Sequence, residues 1–144
     1  MNRLVVDSSV AVKWYEVEGE RHREEALALV QRAAEETLEL HAPILLVFEL
    51  GNFFSRRARR AGADPRSAAL EDLFAAPIRW STPDLPLALR SLALAGDHRL
   101  SFHDASFVAL AERLDALLVT ADADLARPFP RTRVRLLGRD PLPV

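Results

Sequence analysis

The stretch LVVDSSVAVKW, residues 4–14, decides the fold that this sequence predicts. Its apolar, β-branched start is typical of a short buried strand over residues 3–6, which Asp7 ends. The two serines that follow are common helix-capping residues, and a short helix is expected to carry residues 10–14. Asp7 therefore lies at the end of a buried strand, where an unpaired carboxylate is unfavourable by several kcal/mol.

Strands and helices alternate along the rest of the chain. Further strands are predicted at residues 38–42, 78–81, 116–120 and 134–137. Helices are predicted at residues 20–36, 43–61, 65–74, 82–96 and 102–114, with a helical turn at 121–126. Pro43 suits a first helical turn, and Ser101 suits a helix cap. This alternation predicts an α/β fold, a three-layer α/β/α sandwich around a mainly parallel central sheet.

The composition limits the class of protein. The 144 residues are the usual size of one domain, and 49% of them are hydrophobic. No apolar run approaches the roughly 20 residues that span a bilayer, and no secretory signal is expected, so a cytoplasmic location is the default. The absence of cysteine excludes disulfides and thiolate metal sites. A net charge of −2 excludes a bulk polycation, and Lys13 is the only lysine.

Four acidic residues lie where their neighbours are predicted to be buried. Asp7 follows LVV and Asp122 follows ALLVTA, so both lie at the carboxyl ends of strands, where open parallel sheets bind ligands. Glu49, in ILLVFELGNFF, and Asp104, in LSFHDASFVAL, have apolar residues three and four positions away. Each of these two helices is therefore expected to direct a carboxylate toward the core.

Each acid has a structural explanation when it is taken alone. Asp7 would cap the following helix, Glu49 would belong to a buried ion pair, and Asp122 would be a turn residue. Taken together, converging carboxylates repel one another, and a divalent cation removes that repulsion. Carboxylate oxygens suit Mg²⁺ and Mn²⁺, and such a site favours phosphoryl chemistry. The sequence thus predicts that Asp7 is a metal ligand, and it leaves open whether one or two ions bind.

Four segments together resemble the PIN-domain ribonucleases, most closely the VapC-type toxins of bacterial toxin–antitoxin pairs. The segments are VVDSSV, ELGN, FHDASFVALAE and LLVTADADL. Each is weak alone, but their order and spacing match the family over essentially the whole chain. The resemblance implies a single PIN-like domain over residues 1–144, of which about 138–144 are expected to form a loosely held tail.

The resemblance also implies which residues form the site. The family's metal-binding and catalytic acids fall on Asp7, Glu49, Asp104 and Asp122. The first three are expected to bind the metal directly, and the fourth directly or through water. The implied supporting residues are Ser9, Asn52, Thr120 and Asp124, the last being either an auxiliary ligand or a surface acid.

His103 stands where these toxins commonly have tyrosine before the third acid. A histidine there would contact RNA, assist protonation or simply replace the aromatic ring. The last interpretation is favoured, and His103 is not assigned a catalytic role.

The implied activity is metal-dependent endonucleolytic cleavage of RNA, in which water activated by one or two Mg²⁺ or Mn²⁺ ions attacks a phosphodiester. The implied partners are the RNA substrate, a cognate antitoxin protein and a second copy of the chain, with no membrane. The antitoxin would block the site by inserting a cation. Its docking groove is expected among Trp14, Tyr15, Phe53 and Phe54, although the core is favoured for at least half of them.

The run RRARR, residues 56–60, has two interpretations. Its arginines suit the negative end of a helix dipole, and they would also hold RNA phosphates beside the acidic site. The arginines concerned are Arg56, Arg57, Arg59 and Arg60, with Arg99 and Arg127 as weaker candidates for the same role.

Rival functions fit less well. A receiver domain needs a lysine late in the chain, and a haloacid-dehalogenase-type phosphatase needs an acid where Ser9 stands. The main alternative is a non-catalytic PIN-like module that binds RNA or protein. The presence of all four acids argues against it, because a decayed site usually lacks some of them.

Overall fold

Five parallel strands form the central sheet of the computed structural model, which describes residues 1–57 and 65–143. The strands are β1 (Asn2–Val6), β2 (Leu38–Pro43), β3 (Ile78–Ser81), β4 (Leu117–Thr120) and β5 (Val134–Leu136). They lie in the order β3-β2-β1-β4-β5, and each neighbouring pair is parallel. The strand order reverses between β1 and β4, and ligands bind beside such a point in open α/β sheets.

Helices connect the strands and cover both faces of the sheet. They are α1 (Ser8–Ala11), α2 (Arg23–Ala34), α3 (Leu45–Ser55), α4 (Pro65–Ala75), α5 (Leu85–His98), α6 (Phe102–Arg113) and α7 (Ala123–Ala126). Three successive residues of β1, Leu4 to Val6, are fully buried. Since successive strand side chains point to opposite faces, both faces are covered. The predicted three-layer α/β/α sandwich is confirmed.

Helix α6 buries more residues than any other helix in the described part of the chain. It contacts β1, β2 and β4, and it buries residues 107–111 without interruption. Burying a side chain such as Phe107 stabilises the fold by about 1.5–3 kcal/mol relative to exposure. Ser101 caps this helix, as predicted, because its hydroxyl accepts the amide hydrogen of Asp104 at 3.0 Å. The cap and the packing together fix Asp104 in the first turn of α6.

Several helix boundaries differ from the predicted ones, and α3 ends at Ser55, short of the predicted residue 61. Pro43 ends β2 rather than beginning a helix, and it lies beyond the residues that pair with β1, where its missing N–H removes no bond to that strand. Helix α2 begins at Arg23 because His22 before it has φ 57°. Helix α5 continues through Gly96 to His98 and ends where Arg99 adopts φ 56°. Glycine lowers helix stability without preventing a helix that is held by packing.

The segment after Leu137 is tied to the sheet, which differs from the expected loose tail. Asp140 is buried, accepts the amide hydrogen of Leu136 at 2.8 Å and contacts Arg139 and Arg131. The Arg139 guanidinium holds the pKa of Asp140 at about 2. Charge-assisted hydrogen bonds of this kind are roughly twice as strong as neutral ones.

Lys13 is also buried, with 6% of its surface exposed. It lies in a 3₁₀ turn, Val12–Trp14, and its Nζ is 3.6 Å from a Glu20 carboxylate oxygen. The indole N–H of Trp14 donates to the Ala26 carbonyl at 2.8 Å. These contacts hold the turn after α1 against α2. Among the described residues, no helix is both long and apolar enough to cross a membrane.

Candidate functional site

The four predicted acids lie around the carboxyl edge of the sheet. Asp7 follows β1, and Asp122 lies two residues beyond β4, the strand that pairs with β1 through Val6 and Val119. Glu49 lies on α3, which contacts α1 and β2, and Asp104 lies in the first turn of α6. Four separate elements therefore bring these carboxylates to one edge.

Asp7 is buried and accepts three hydrogen bonds. The hydroxyl of Ser9 donates to Oδ1 at 2.6 Å, and that of Thr120 donates to Oδ2 at 2.5 Å. The amide of Val10 reaches Oδ1 at 3.3 Å, so Asp7 is also the helix cap that its sequence position suggested. Burial outweighs these bonds and raises the pKa of Asp7 to about 6, and the nearby charge of Asp104 adds to the rise.

The two hydroxyls that hold Asp7 also hold the loop that carries Asp122. Ser9 Oγ accepts the Ala121 amide hydrogen at 2.8 Å, and Thr120 Oγ1 accepts that of Asp122 at 3.1 Å. Each hydroxyl has a single proton and donates it to Asp7. Ser9 and Thr120 thus position the first and fourth acids together, which is the supporting place the sequence suggested for both.

Glu49 has a buried oxygen without a partner. Its side chain is half-buried, and Oε1 has no hydrogen-bond partner within the described part of the chain. Burial raises the pKa of Glu49, and the charges of Asp7 and Asp104 raise it further. A buried acceptor without a donor is unfavourable by about 1–3 kcal/mol or more, so this oxygen suits a cation as its partner.

Asp104 and Asp122 complete the group. Asp104 is half-buried, and its pKa is raised by burial and by the charge of Asp122. Asp122 is exposed and caps α7, where Oδ1 accepts the Asp124 amide hydrogen at 2.9 Å. The sequence suggested only a turn residue here, whereas Asp122 caps a short helix, and the cap leaves the other carboxylate oxygen free of that bond.

The four carboxylates interact through their charges, which raise pKa values within the group, but their oxygens do not converge on a single position. Asp7 couples to Glu49 and Asp104, and Asp104 couples to Asp122. Within residues 1–57 and 65–143, no three acidic or histidine side chains converge as the ligands of one ion. The donors are carboxylate oxygens, and Glu49 Oε1 has no partner. This set fits a hard divalent cation such as Mg²⁺ or Mn²⁺.

Comparison with known proteins identifies the family. Residues 4–128 match the PIN domain family. This chain belongs to that family. It is also 34% identical over 131 residues to ribonuclease VapC3 of Pyrobaculum aerophilum, an alignment that covers 89% of this chain and 95% of that relative. The resemblance to PIN-domain proteins is thus confirmed.

Solved structures agree on the fold of this PIN domain. A toxin–antitoxin complex from Klebsiella pneumoniae superposes with a TM-score of 0.67 at 16% identity, covering 92% of this chain and 95% of that one. VapC20 of Mycobacterium tuberculosis, a sarcin-ricin loop cleaving toxin, gives 0.65 at 18% identity, covering 90% and 98%. At such identities the likeness shows the fold alone.

Three other residues that the sequence placed near the site are exposed, and they differ in whether they line the groove beside Glu49. Asn52 is exposed and lines the same groove as Glu49, and exposed His103 lines that groove too. The charge of His103 lowers the pKa values of Glu49 and Asp104, although burial outweighs it. Asp124 is exposed and pairs with Arg127 at 2.8 Å, which fits the surface interpretation for Asp124.

The arginine run divides into residues with different surroundings. The Arg57 guanidinium donates to the Tyr15 carbonyl at 2.7 Å and lies 5.2 Å from the centre of the Phe53 ring. Arg57 therefore supports the turn after α1. Arg56 is exposed and lines the groove that contains Glu49. Arg59 and Arg60 lie outside the described residues.

The predicted aromatic docking groove is largely packed. Phe54 is buried, and Trp14, Tyr15 and Phe53 pack half-buried against the core. Phe48 was not predicted from the sequence, although it is 69% exposed and lines the groove beside Glu49. The helical spacing of the buried residues of α3 could have revealed it, because Phe48 lies away from that buried face. Those residues are Leu46, Leu50 and Phe54.

Proposed function

We propose that this PIN-domain protein is an endoribonuclease that hydrolyses RNA with Mg²⁺ or Mn²⁺, one or two ions, held by Asp7, Glu49, Asp104 and Asp122. The observation that carries the proposal is the unpartnered Glu49 oxygen among carboxylates that raise one another's pKa. The activity named for the relative at 34% identity, a ribonuclease, supports the same reaction.

Asp7 and Asp122 have different roles in the proposed hydrolysis, because one is buried and the other exposed. When bound, the cation would make water a better nucleophile and neutralise charge that develops on the phosphate. Asp7 is fixed by Ser9 and Thr120, so it holds its carboxylate in one orientation. Asp122 is exposed at the rim, where the phosphodiester must enter from solvent. Such fixed orientation is what metal-dependent hydrolysis requires of a protein.

The proposal extends to a toxin–antitoxin system. Its partners are an RNA substrate and a cognate antitoxin that covers the acidic site, and the protein acts as a homodimer in the cytoplasm. The support is the fold shared with the Klebsiella pneumoniae toxin–antitoxin complex together with the relative's name. Light scattering of the purified protein tests the dimer, and co-purification with the product of a neighbouring gene tests the antitoxin.

The deciding experiment is cleavage of a mixed transfer RNA and ribosomal RNA pool by purified protein. Mg²⁺, Mn²⁺ and excess EDTA are compared, with Asp7→Asn prepared in parallel to detect contaminating nucleases. Asp84→Asn is the matched control, because Asp84 caps a helix away from the acidic group. Discrete fragments that require metal and vanish only with Asp7→Asn would support the proposal. Fragments that persist with Asp7→Asn would overturn it, and binding without cleavage would favour the non-catalytic module.

A further inference from the structure

An open groove of about 560 Å³ extends from the acidic group along α3. Ser8, Ser9 and Val12 line it on the side of α1. The α3 side presents, in order along the helix, Phe48, Glu49, Asn52, Phe53 and Arg56. One end of this wall therefore places Phe48 beside Glu49, a carboxylate of the proposed metal site, and the other end places a cation.

Phe48 is unusual among the residues of this wall. The residue is 69% exposed, although it adjoins the half-buried Glu49. At about 100° per residue it lies nearly opposite Leu46 and Leu50, the buried residues of the same helix. The core therefore does not account for Phe48, which stays largely exposed where it lines the groove.

Arg56 lies two turns beyond Phe48, about 12 Å along the helix axis. Its guanidinium is 6.0 Å from the centre of the Phe53 ring, at the outer limit of a cation–π contact, which leaves its N–H donors available to a ligand. Arg57 differs, because its guanidinium is engaged by the Tyr15 carbonyl and by Glu16 at 3.8 Å. Of these two arginines, only Arg56 presents its charge to the groove.

We propose that this groove binds an unpaired stretch of the RNA strand beside the cleavage site, with Phe48 stacking on a base and Arg56 contacting a backbone phosphate. The inference rests on the proposed RNA cleavage. An exposed aromatic ring stacks on a base that has left its own stack, and RNA-binding proteins read such splayed bases. The carboxylates repel phosphate at one end of the groove, so a cation at the other end sets the path of the strand.

The test measures binding apart from cleavage. A short fluorescein-labelled RNA of mixed sequence, single-stranded or annealed to its complement, is titrated in EDTA and followed by anisotropy. We expect the single strand to bind more tightly, and Phe48→Ala to weaken that binding about tenfold. Phe48→Tyr should retain it, because the ring remains. Phe74→Ala is the matched control, since Phe74 is 62% exposed on α4 and does not line the groove.

Arg56 is tested by the salt dependence of the same binding. Arg56→Gln should reduce the slope of log K against log salt by about 0.7, the value for one phosphate contact on a single strand. Arg32→Gln, on the exposed face of α2, should leave the slope unchanged. An unchanged slope with Arg56→Gln would remove Arg56 from the proposed path.

The outcomes separate this inference from the proposed function. Normal RNA affinity in Phe48→Ala would overturn the inference, even if the wild-type protein cleaves RNA. Loss of dimer with unchanged RNA affinity would also overturn it and assign Phe48 to an interface between copies, since Phe48 also borders an apolar pocket between α3, α5 and α6. Binding that depends on Phe48 in a protein that cleaves no RNA would retain the groove as a site for unpaired RNA and reject the nuclease.

Discussion

Asp7 and Asp84 occupy equivalent local positions with opposite surroundings. Each precedes a helix and accepts an amide hydrogen three residues later, from Val10 and Leu87 respectively. Asp84 is exposed and forms two hydrogen bonds of 2.7 Å with Arg113, which holds its pKa at about 2. Asp7 is buried and has no cationic side chain within ion-pair distance in the described ranges, and its pKa is about 6.

The difference teaches how one residue type serves two purposes. Two acids between α5 and α6 meet arginines, since Asp84 pairs with Arg113 at 2.7 Å and Glu112 with Arg90 at 2.8 Å. At the carboxyl edge of the sheet, Asp7 and Glu49 meet other carboxylates instead. The first arrangement is complete in the protein itself, whereas the second needs a cation from outside.

The largest expected effect is on cleavage. Asp7→Asn should lower the cleavage rate by more than about 100-fold, because changes even to groups behind the ligands cost 10–100-fold. Asp84→Asn should leave the rate within about twofold, although it weakens the contact between α5 and α6. Initial rates on one purified RNA check both variants. Equal losses in the two variants would show that the comparison between the two acids is mistaken.

Asp7→Asn, which should abolish most of the cleavage, should nevertheless raise the free energy of unfolding at neutral pH when no metal is present. The folded protein holds the Asp7 proton up to about pH 6, whereas the unfolded chain releases it near 3.8. The free energy of unfolding therefore falls as pH rises through this range, by about 3 kcal/mol for two pKa units. Asp7→Asn removes that loss, so in EDTA it should match the wild type near pH 4 and exceed it at pH 7.

Denaturant unfolding of both proteins across that pH range provides the measurement. Asp84 supplies the internal contrast, because its lowered pKa makes its contribution fade as pH falls toward 2. A difference between Asp7→Asn and wild type that does not vary with pH would contradict the buried, raised-pKa state of Asp7.

A bound metal ion should offset the loss of stability that the ionised Asp7 causes, and it should have no such effect at Asp84. A cation that binds the folded state at 100 times its Kd stabilises it by about 2.7 kcal/mol. Mg²⁺ or Mn²⁺ should therefore raise the Tm of the wild type and of Asp84→Asn, but not that of Asp7→Asn. Thermal unfolding with metal and with EDTA checks this, and Na⁺ at matched ionic strength separates specific binding from screening.

The hydroxyl that links two acids should have an intermediate effect. Thr120→Val removes the donor to Asp7 and the acceptor for the Asp122 amide while keeping the side-chain shape. We expect the free energy of unfolding to fall by about 1–3 kcal/mol and cleavage to fall about tenfold. Thr120→Ser, which restores the hydroxyl, should recover most of the cleavage. No recovery would mean that packing, rather than hydrogen bonding, explains the residue.

The smallest expected effect is on the free energy of unfolding, when an ion pair between α5 and α6 is removed. Arg90→Gln breaks the pair with Glu112, in which half of the arginine side chain is exposed. Solvent screening limits such pairs to less than about 1 kcal/mol. Denaturant unfolding at low and high salt measures the change, which should shrink as salt rises. A larger, salt-independent change would show that the pair is more than a surface contact.

Local patterns predicted most of the fold and the positions of the four acids. The run before Asp7 is short, β-branched and ended by a polar residue, and such a pattern depends on few distant contacts. Pro43 was misplaced because its position depends on where pairing with β1 stops. The tail after Leu137 was wrongly expected to be loose, because the burial of Asp140 depends on arginines that come together only in the folded protein.

The candidate site shows the same limit. Apolar neighbours in the sequence marked Glu49, but the sequence could not reveal that Oε1 lacks a partner, because that depends on every nearby donor. Adjacent arginines look alike in the run RRARR, yet Arg57 is engaged by the Tyr15 carbonyl while Arg56 faces a groove. Contacts between side chains on distant elements are the part of the site that local sequence patterns could not predict.

The burial of Lys13 gives this protein a single-site reporter of local opening. A lysine-specific endoproteinase has only the Lys13–Trp14 bond to cut in this sequence, and that bond is enclosed in the native turn behind α1. When opening is fast relative to cutting, the rate of digestion follows the population of the open form. One band on a gel would thus report how often the chain opens immediately beside Asp7, with no label attached.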